Sequence, residues 1–294
     1  MKSIGVIGNG FVGGAVINAF ENHCAVKFYD IDPAKSNNSF EDTISCDFVF
    51  VCLPTPMSDP EGGAANIEHV EKFFHDVQPL DPLKTCRSKS TVYVIKSTVP
   101  IGTTDSLCEK YSTHRILHSP EFLTAKHSDF NFITASRHII GRAEYVYDSN
   151  GAGAGYYSDV LEELLSSRFP GVNIIKMFAK ESELVKYFAN SFFATKVMFF
   201  NEMKLLSDQL DLNWENIISG VMSDRRIGMS HYQVPGHDND VGFGGYCFPK
   251  DINALINSMK EHDVDPLVLE AVWKQNKNIR NNWDWVDSDQ KEDT

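Results

Sequence analysis

The stretch VIGNGFVGGAV near the N-terminus sets Gly8, Gly10 and Gly13 in G-x-G-x-x-G spacing, directly behind a β-branched run and directly ahead of a helix-period segment. No other feature constrains the fold of this chain as much. The first glycine permits a tight turn, the second lets backbone approach a pyrophosphate, and the third lets helix pack on strand, with the helix N-terminus facing the negative charge. Asp30 closes the next β-branched run, about 20 residues on, where a carboxylate accepts hydrogen bonds from ribose hydroxyls and repels a 2′-phosphate. The pattern predicts a dinucleotide site that prefers NAD to NADP.

Short β-branched runs alternate with helix-period segments as far as residue 178: SIGVIG, AVKFYD, DFVFVCL, TVYVIKS, RILHS, RHIIG and VNIIKM. Strands separated by helices predict an α/β fold, an N-terminal Rossmann-like domain over 1–178 with a parallel sheet and crossovers. From Ala179 the stretch KESELVKYFANSFFATKVMFFNEMKLLSDQL keeps apolar residues at helical spacing without a glycine or proline, which predicts a long helix. Further helical patterns at 214–221, 250–262 and 266–280 make residues 179–282 a small all-α domain around that long central helix. Residues 283–294 read as a polar, frayed tail, and DSNGAGAGYYSD at 148–159 reads as a surface loop. Phe188, Phe192, Phe193, Val197, Phe199, Phe200 and Met203 distribute apolar surface over more than one face of the long helix, which predicts a homodimer built on it.

Forty acidic against 27 basic side chains give a formal net charge of -13, a field that repels phosphate backbones and argues against nucleic acid as a partner. A phosphate-bearing ligand must then be held by local groups. No apolar run is long enough to span a membrane, and SIGVIG follows the first residues without a basic n-region and apolar h-region, so no secretory signal is expected. Six cysteines show no C-x-x-C pair or other metal-ligand spacing, so reduced thiols in a cytoplasm and no metal are expected.

Four further stretches carry chemistry. CLPTP (52–56) and KSTVPIGTTD (96–105) each follow a strand, so Thr55 and Thr98 offer hydroxyls at the carboxyl edge of the sheet, where ligands of such folds bind. HSPEFL places Glu121 after another strand, and Lys186 and Asn190 share one face of the long helix. The most distinctive stretch is GFGGYCFPKD (242–251), with Cys247 between glycines and the Lys250–Asp251 pair. Glycines 242, 244 and 245 are read as letting backbone approach a ligand closely.

In this order and at comparable intervals, GNGFVG, KSTVPIGTT, SPEFL, ELVKYFANSFFATKVMFFNE, DRRIG with YQVPG, and GFGGYCFPKD resemble the UDP-glucose/GDP-mannose dehydrogenase family over nearly the whole chain. The resemblance implies NAD-dependent oxidation of a nucleotide-diphosphate sugar alcohol to the carboxylate, UDP-glucose first, GDP-mannose or a UDP-N-acetylhexosamine second. It implies Cys247 as nucleophile, with Lys186, Asn190, Asp251, Glu121 and Thr98 assisting. Around the cofactor it implies Phe11, Val12, Lys35, Pro54, Thr55, Thr98 and Lys250 beside Gly8, Gly10, Gly13 and Asp30. Around the sugar it implies Glu121, Phe122, Leu123, Lys186, Asn190, Arg226, Phe243 and Gly244. Two departures stand out: Ala125 and Lys126 replace a usual Glu-Gly pair, and the second Rossmann-like, nucleotide-holding domain of the family is not found before Thr294. The expectations are therefore an enzyme, with a separate chain as a candidate source of that domain, or else a non-catalytic dinucleotide-binding subunit.

Overall fold

The computed structural model describes residues 2–80, 91–113, 115–123, 128–144 and 153–286. Ala125 and Lys126, residues 148–152 of the expected surface loop, and 287–294 of the expected tail lie outside the described residues. Contacts divide the chain into two compact units, Met1–Thr55 with Asn66–Lys186, and Pro56–Ala65 with Tyr187–Thr294.

In the first unit every residue of Phe48–Val51 (β3) and Val92–Ile95 (β4) is buried, as strands covered on both faces must be. With Ser3–Ile7 (β1), Ala25–Tyr29 (β2), Ile116–His118 (β5), Arg137–Arg142 (β6) and Asn173–Phe178 (β7) they form a seven-stranded sheet in the order β2-β1-β3-β4-β5-β6-β7. Side chains alternate between its faces. Ile4, Val6, Phe48, Phe50, Val92 and Val94 point to one side, where Phe11–Phe20 (α1) and Ala154–Arg168 (α6) cover them. Ile7, Val49, Val51, Tyr93 and Ile95 point to the other and meet Val70, Phe73, Phe74 and Leu107, which project from the α-helices Glu68–Val77 (α3) and Thr103–Tyr111 (α4). The short helix Phe40–Ile44 (α2) packs against β1 and β2.

One seam departs from the expected parallel sheet. β6 runs antiparallel to β5, pairing Leu117 with Arg142 and His118 with Gly141, and β7 runs parallel to β6. The cause is the connection. Its only described helix, Ser128–Ile133 (α5), is about 9 Å long at 1.5 Å per residue and packs on α1, so it does not carry the chain back along the sheet. β6 therefore starts beyond the carboxyl end of β5, and Arg137 and His138 stand beside the turn that follows His118.

The second unit is helical. It takes most of Ala179–Gln209 (α7), then Trp214–Met222 (α8), Cys247–Glu261 (α9) and Leu267–Ile279 (α10). The expected boundary at 178/179 follows the last strand, whereas the contact boundary falls inside α7, between Lys186 and Tyr187. Ala194, Met198, Phe243, Ile252, Ile256, Trp273 and Trp285 form its core. A strap from the first half of the chain, Pro56–Ala65, belongs to this core: Met57 packs into it, Trp273 Nε1 donates to Glu61 O at 3.0 Å, and Trp285 Nε1 donates to Pro60 O at 3.2 Å. The tail expectation is corrected at its start. Trp285 is buried, with its ring 5.3 Å from Trp273, because two indoles within four polar residues carry enough apolar area to dock.

The aromatic load of α7 separates by face. Phe200 is buried, Phe193 stacks on His231 at 4.2 Å, and Val197 packs against the helical core. Phe188, Phe192, Phe199, Met203 and Leu206 are exposed, at the three-, four- and seven-residue steps of a single stripe that Leu210 continues just past the helix end.

Candidate active site

The glycine turn is built as its spacing requires. Gly8 adopts φ +87°, and a Cβ there would stand 2.6 Å from Cys52 O; a Cβ on Gly13 would stand 1.8 Å from Gly8 O. Both positions exclude any side chain. At Gly10, the N-cap of α1, no atom of the described residues other than its chain neighbours lies within 4 Å of a Cβ position, and no side chain caps the helix. The first N–H groups of α1 thus face a space that suits a pyrophosphate. Phe11 opens the helix exposed, and Val12 is half-buried. Asp30 accepts from Asn9 N at 2.6 Å and from Asp32 N at 3.0 Å, so one carboxylate braces the glycine turn and retains lone pairs for ribose hydroxyls. Lys35 contributes its carbonyl to this corner, accepting from Asn9 Nδ2 at 2.9 Å, while its side chain is exposed. These groups fit a dinucleotide.

Pro54 and Thr55 follow β3. The Thr55 hydroxyl donates to Thr98 O at 2.8 Å, which ties the CLPTP and KSTVP turns together and leaves the Thr98 side chain half-buried. Cys52, in the same turn, is pushed up to about 12 by burial and is no nucleophile at neutral pH.

At the carboxyl end of β5 the Lys186 ammonium donates to Glu121 Oε1 at 2.8 Å and to Glu121 O at 2.7 Å. Burial pushes the Glu121 carboxyl up, but the Lys186 charge and hydrogen bond outweigh it and hold the group below its usual range. The Glu121 carboxylate also accepts from Leu123 N, which pulls the PEFL turn tight, and the Phe122 ring lies under the Arg137 guanidinium at 4.3 Å. Lys96, buried at the end of β4, donates to Pro120 O at 3.2 Å, and burial lowers its ammonium to about 8. Lys96, Glu121, Phe122, Leu123, Arg137 and His138 line a cavity of about 280 Å³. Lys96 was not singled out in the sequence; the signal available was a lone lysine ending a wholly apolar strand. Glu183 was also passed over as one charge among several in KESELVK. Its buried carboxylate accepts from Gly102 N, and from Thr104 N and Oγ1 at 2.9 and 2.7 Å, at the start of α4.

In the second unit Cys247 is exposed at the first position of α9, where a helix N-terminus favours negative charge. One turn further in, Lys250 Nζ donates to Asp251 Oδ1 at 2.6 Å, and Asn190 Nδ2 donates to Asp251 Oδ2 at 2.5 Å. Lys250, expected at the cofactor, spends its ammonium on Asp251. Phe243, expected at the sugar, buries its ring in the helical core, 6.3 Å from Trp273. A Cβ at Gly242 or Gly244 would meet protein side chains, whereas among the described residues, chain neighbours aside, none lies within 4 Å of a Cβ position at Gly245. Arg226 is exposed and chelates Asp224 through Nε at 2.9 Å.

Residues 35–152 match the NAD binding domain of the UDP-glucose/GDP-mannose dehydrogenase family, and 180–278 match its central domain. A UDP-glucose 6-dehydrogenase of Streptococcus pneumoniae is 30% identical over 93% of this chain and 72% of its own length. One of Rickettsia prowazekii is 32% identical over 79% of this chain and 49% of its own. This chain spans about half the length of this and three other Rickettsia relatives it matches. A UDP-glucose dehydrogenase structure from Pyrobaculum islandicum superposes with TM-score 0.77 at 25% identity, covering 95% of this chain and 68% of that one. With both family domains matched and a relative 30% identical over nearly the whole chain, the chain belongs to the UDP-glucose/GDP-mannose dehydrogenase family.

Proposed function

We propose that this chain oxidises the C6 alcohol of a nucleotide-diphosphate sugar to the carboxylate, with UDP-glucose the favoured substrate and NAD the cofactor. The observation that carries the reading is Cys247, exposed at the start of a helix whose next turn brings Lys250 and Asp251 into a buried cluster with Asn190 of α7. Overall, the alcohol and one water give a carboxylate, two hydrides and three protons. NAD, when bound, takes up the hydride of each oxidation. The aldehyde reached after the first has no hydroxyl to ionise, and a thiolate remedies that. The Cys247 sulfur adds to the carbonyl carbon, the carbonyl π pair moves to oxygen, and loss of the carbon-bound hydrogen as hydride leaves a thioester. Water then adds with its proton passing to Asp251, the C–S bond breaks, and the thiolate is restored. Lys186 is assigned to the oxyanion, Asn190 to holding Asp251, Glu121 and Thr98 to the proton of the alcohol.

The test is NADH formation with UDP-glucose, GDP-mannose and UDP-N-acetylhexosamines. Two NADH per sugar oxidised supports the reading; none with any sugar overturns it in favour of a non-catalytic dinucleotide-binding subunit. Cofactor choice is a second expected outcome. Asp30→Ala removes a charged acceptor, so NAD affinity should fall about tenfold or more and the gap to NADP should narrow, as titration calorimetry would show. Equal affinity of the unaltered protein for both dinucleotides would contradict the role given to Asp30.

The exposed stripe of α7 supports a homodimer in which a second copy covers Phe188, Phe192, Phe199 and Met203. Sedimentation at micromolar concentration should show twice the chain mass of 33.1 kDa, reduced to the monomer by Phe192→Asp. A monomer in the parent protein would refute it.

A further inference from the structure

The backbone ahead of Cys247 is irregular and rich in glycine, with positive φ at Gly242 and Gly245, so by composition it is among the least rigid parts of the unit. Its peptide groups are nevertheless held one after another by side chains from elsewhere. Gly242 N donates to Asn201 Oδ1 at 3.0 Å. Phe243 N donates to Asn276 Oδ1 at 2.7 Å, and Asn276 Nδ2 donates back to Phe243 O at 2.9 Å, a two-way pairing like that of a strand. Gly245 N lies 3.1 Å from both carboxylate oxygens of Asp284. Arg280 closes the set: Nη2 donates to Asp238 Oδ2 at 2.6 Å and Asp284 Oδ1 at 3.3 Å, Nη1 to Val241 O at 3.4 Å, and Nε to Asn282 O at 2.8 Å.

The glycines themselves record this contact. A Cβ on Gly242 would stand 2.3 Å from Asn276 Oδ1, and one on Gly244 would stand 2.0 Å from Arg280 Nη2 and 2.3 Å from Asp284 Oδ1. Two of the three glycines are therefore shaped by what lies behind the loop. Burying the Arg280 side chain to 1% exposure is costly unless carboxylates and carbonyls meet it, and of those acceptors Val241 O lies on the segment that leads into Cys247 while Asp284 holds it. We propose that Asn276, Arg280 and Asp284 are positioning residues: they clasp the 241–245 backbone and fix where the Cys247 sulfur stands at the start of α9. The inference rests on Cys247 being the nucleophile. Since a misplacement of about 1 Å at a reacting atom can cost on the order of 10²-fold in rate, loosening the clasp should act on turnover rather than on cofactor affinity.

The experiment compares the full chain with Arg280→Lys, Asn276→Ser and Asp284→Asn. Three quantities are read: kcat and KM for NADH formation, NAD affinity, and the rate of iodoacetamide alkylation at the Cys247 peptide as a function of pH, followed by mass spectrometry. Arg280→Lys and Asn276→Ser should lower kcat about tenfold or more, leave NAD affinity unchanged, and move the Cys247 alkylation profile at least threefold in rate. Kinetic parameters and an alkylation profile within twofold of the parent in both folded variants would overturn the clasp. If either variant fails to fold, Asp284→Asn decides, because Asp284 is partly exposed and, among the described residues, its carboxylate pairs with Gly245 N and Arg280; an unchanged profile there overturns the proposal. Alkylation reads the clasp even if the parent forms no NADH, so failure of the enzymatic reading and failure of the clasp are separable.

Discussion

Cys247→Ser should abolish formation of the acid, with turnover down on the order of 10³-fold or more, while NAD affinity stays as in the parent. A hydroxyl ionises far less readily than a thiol near neutral pH, so addition to the aldehyde fails and the second oxidation stalls. The stoichiometry should fall from two NADH per sugar toward one, with aldehyde trapped by hydroxylamine in place of carboxylate seen by NMR. Undiminished turnover to the acid in Cys247→Ser would remove the thioester from the mechanism. Burial distinguishes this sulfur from two other cysteines of the chain: desolvation pushes the Cys52 thiol up to about 12 and raises that of Cys108 as well, whereas Cys247 is exposed.

Lys250→Met should cost about 3–5 kcal/mol of stability, the usual result of removing one partner of a buried ion pair. Lys250 and Asp251 are almost wholly buried and 2.6 Å apart, and without the ammonium the Asp251 carboxylate keeps, among the described residues, the Asn190 amide. Methionine matches the lysine stem in length, so the loss reports charge rather than a cavity. All four tryptophans, Trp214, Trp273, Trp283 and Trp285, lie in the helical unit, so their fluorescence in a urea titration follows that unit. Adding Asp251→Asn to Lys250→Met should recover much of the loss, because an amide needs no counter-charge. A single substitution costing less than about 1 kcal/mol would mean that the pair is solvated.

The strands were legible because runs such as VFVCL and VYVI must be buried on both sides, and the glycine turn because its spacing leaves no room for side chains at Gly8 and Gly13. The direction of β6 was not legible. It depends on where α5 docks, a tertiary fact with no mark in the RHIIG run itself. The glycines at 242 and 244 were visible but misread, since the side chains that exclude a Cβ, Asn276 and Arg280, come from a later helix and its end. Lys250 was read beside Cys247 in sequence, yet helix geometry turns it inward to Asp251. Trp285 escaped notice because its neighbours are Asp284, Asp287 and Ser288, and local polarity hides a residue that docks on a distant indole.

The strap at Pro56–Ala65 bears on how such a chain can be divided or recombined. Two indole N–H groups of the helical core, on Trp273 and Trp285, find their acceptors on Glu61 and Pro60, far upstream of every helix they pack with. A cut at either 178 or 186 gives a C-terminal fragment without those carbonyls and without Met57, so both donors would need water and the core would lose one wall. Exchange of the C-terminal half between relatives meets the same obstacle: the incoming half must accept the host's ten residues. For heredity, then, the two units are one cassette, interleaved so that neither travels whole without a piece of the other's stretch of sequence.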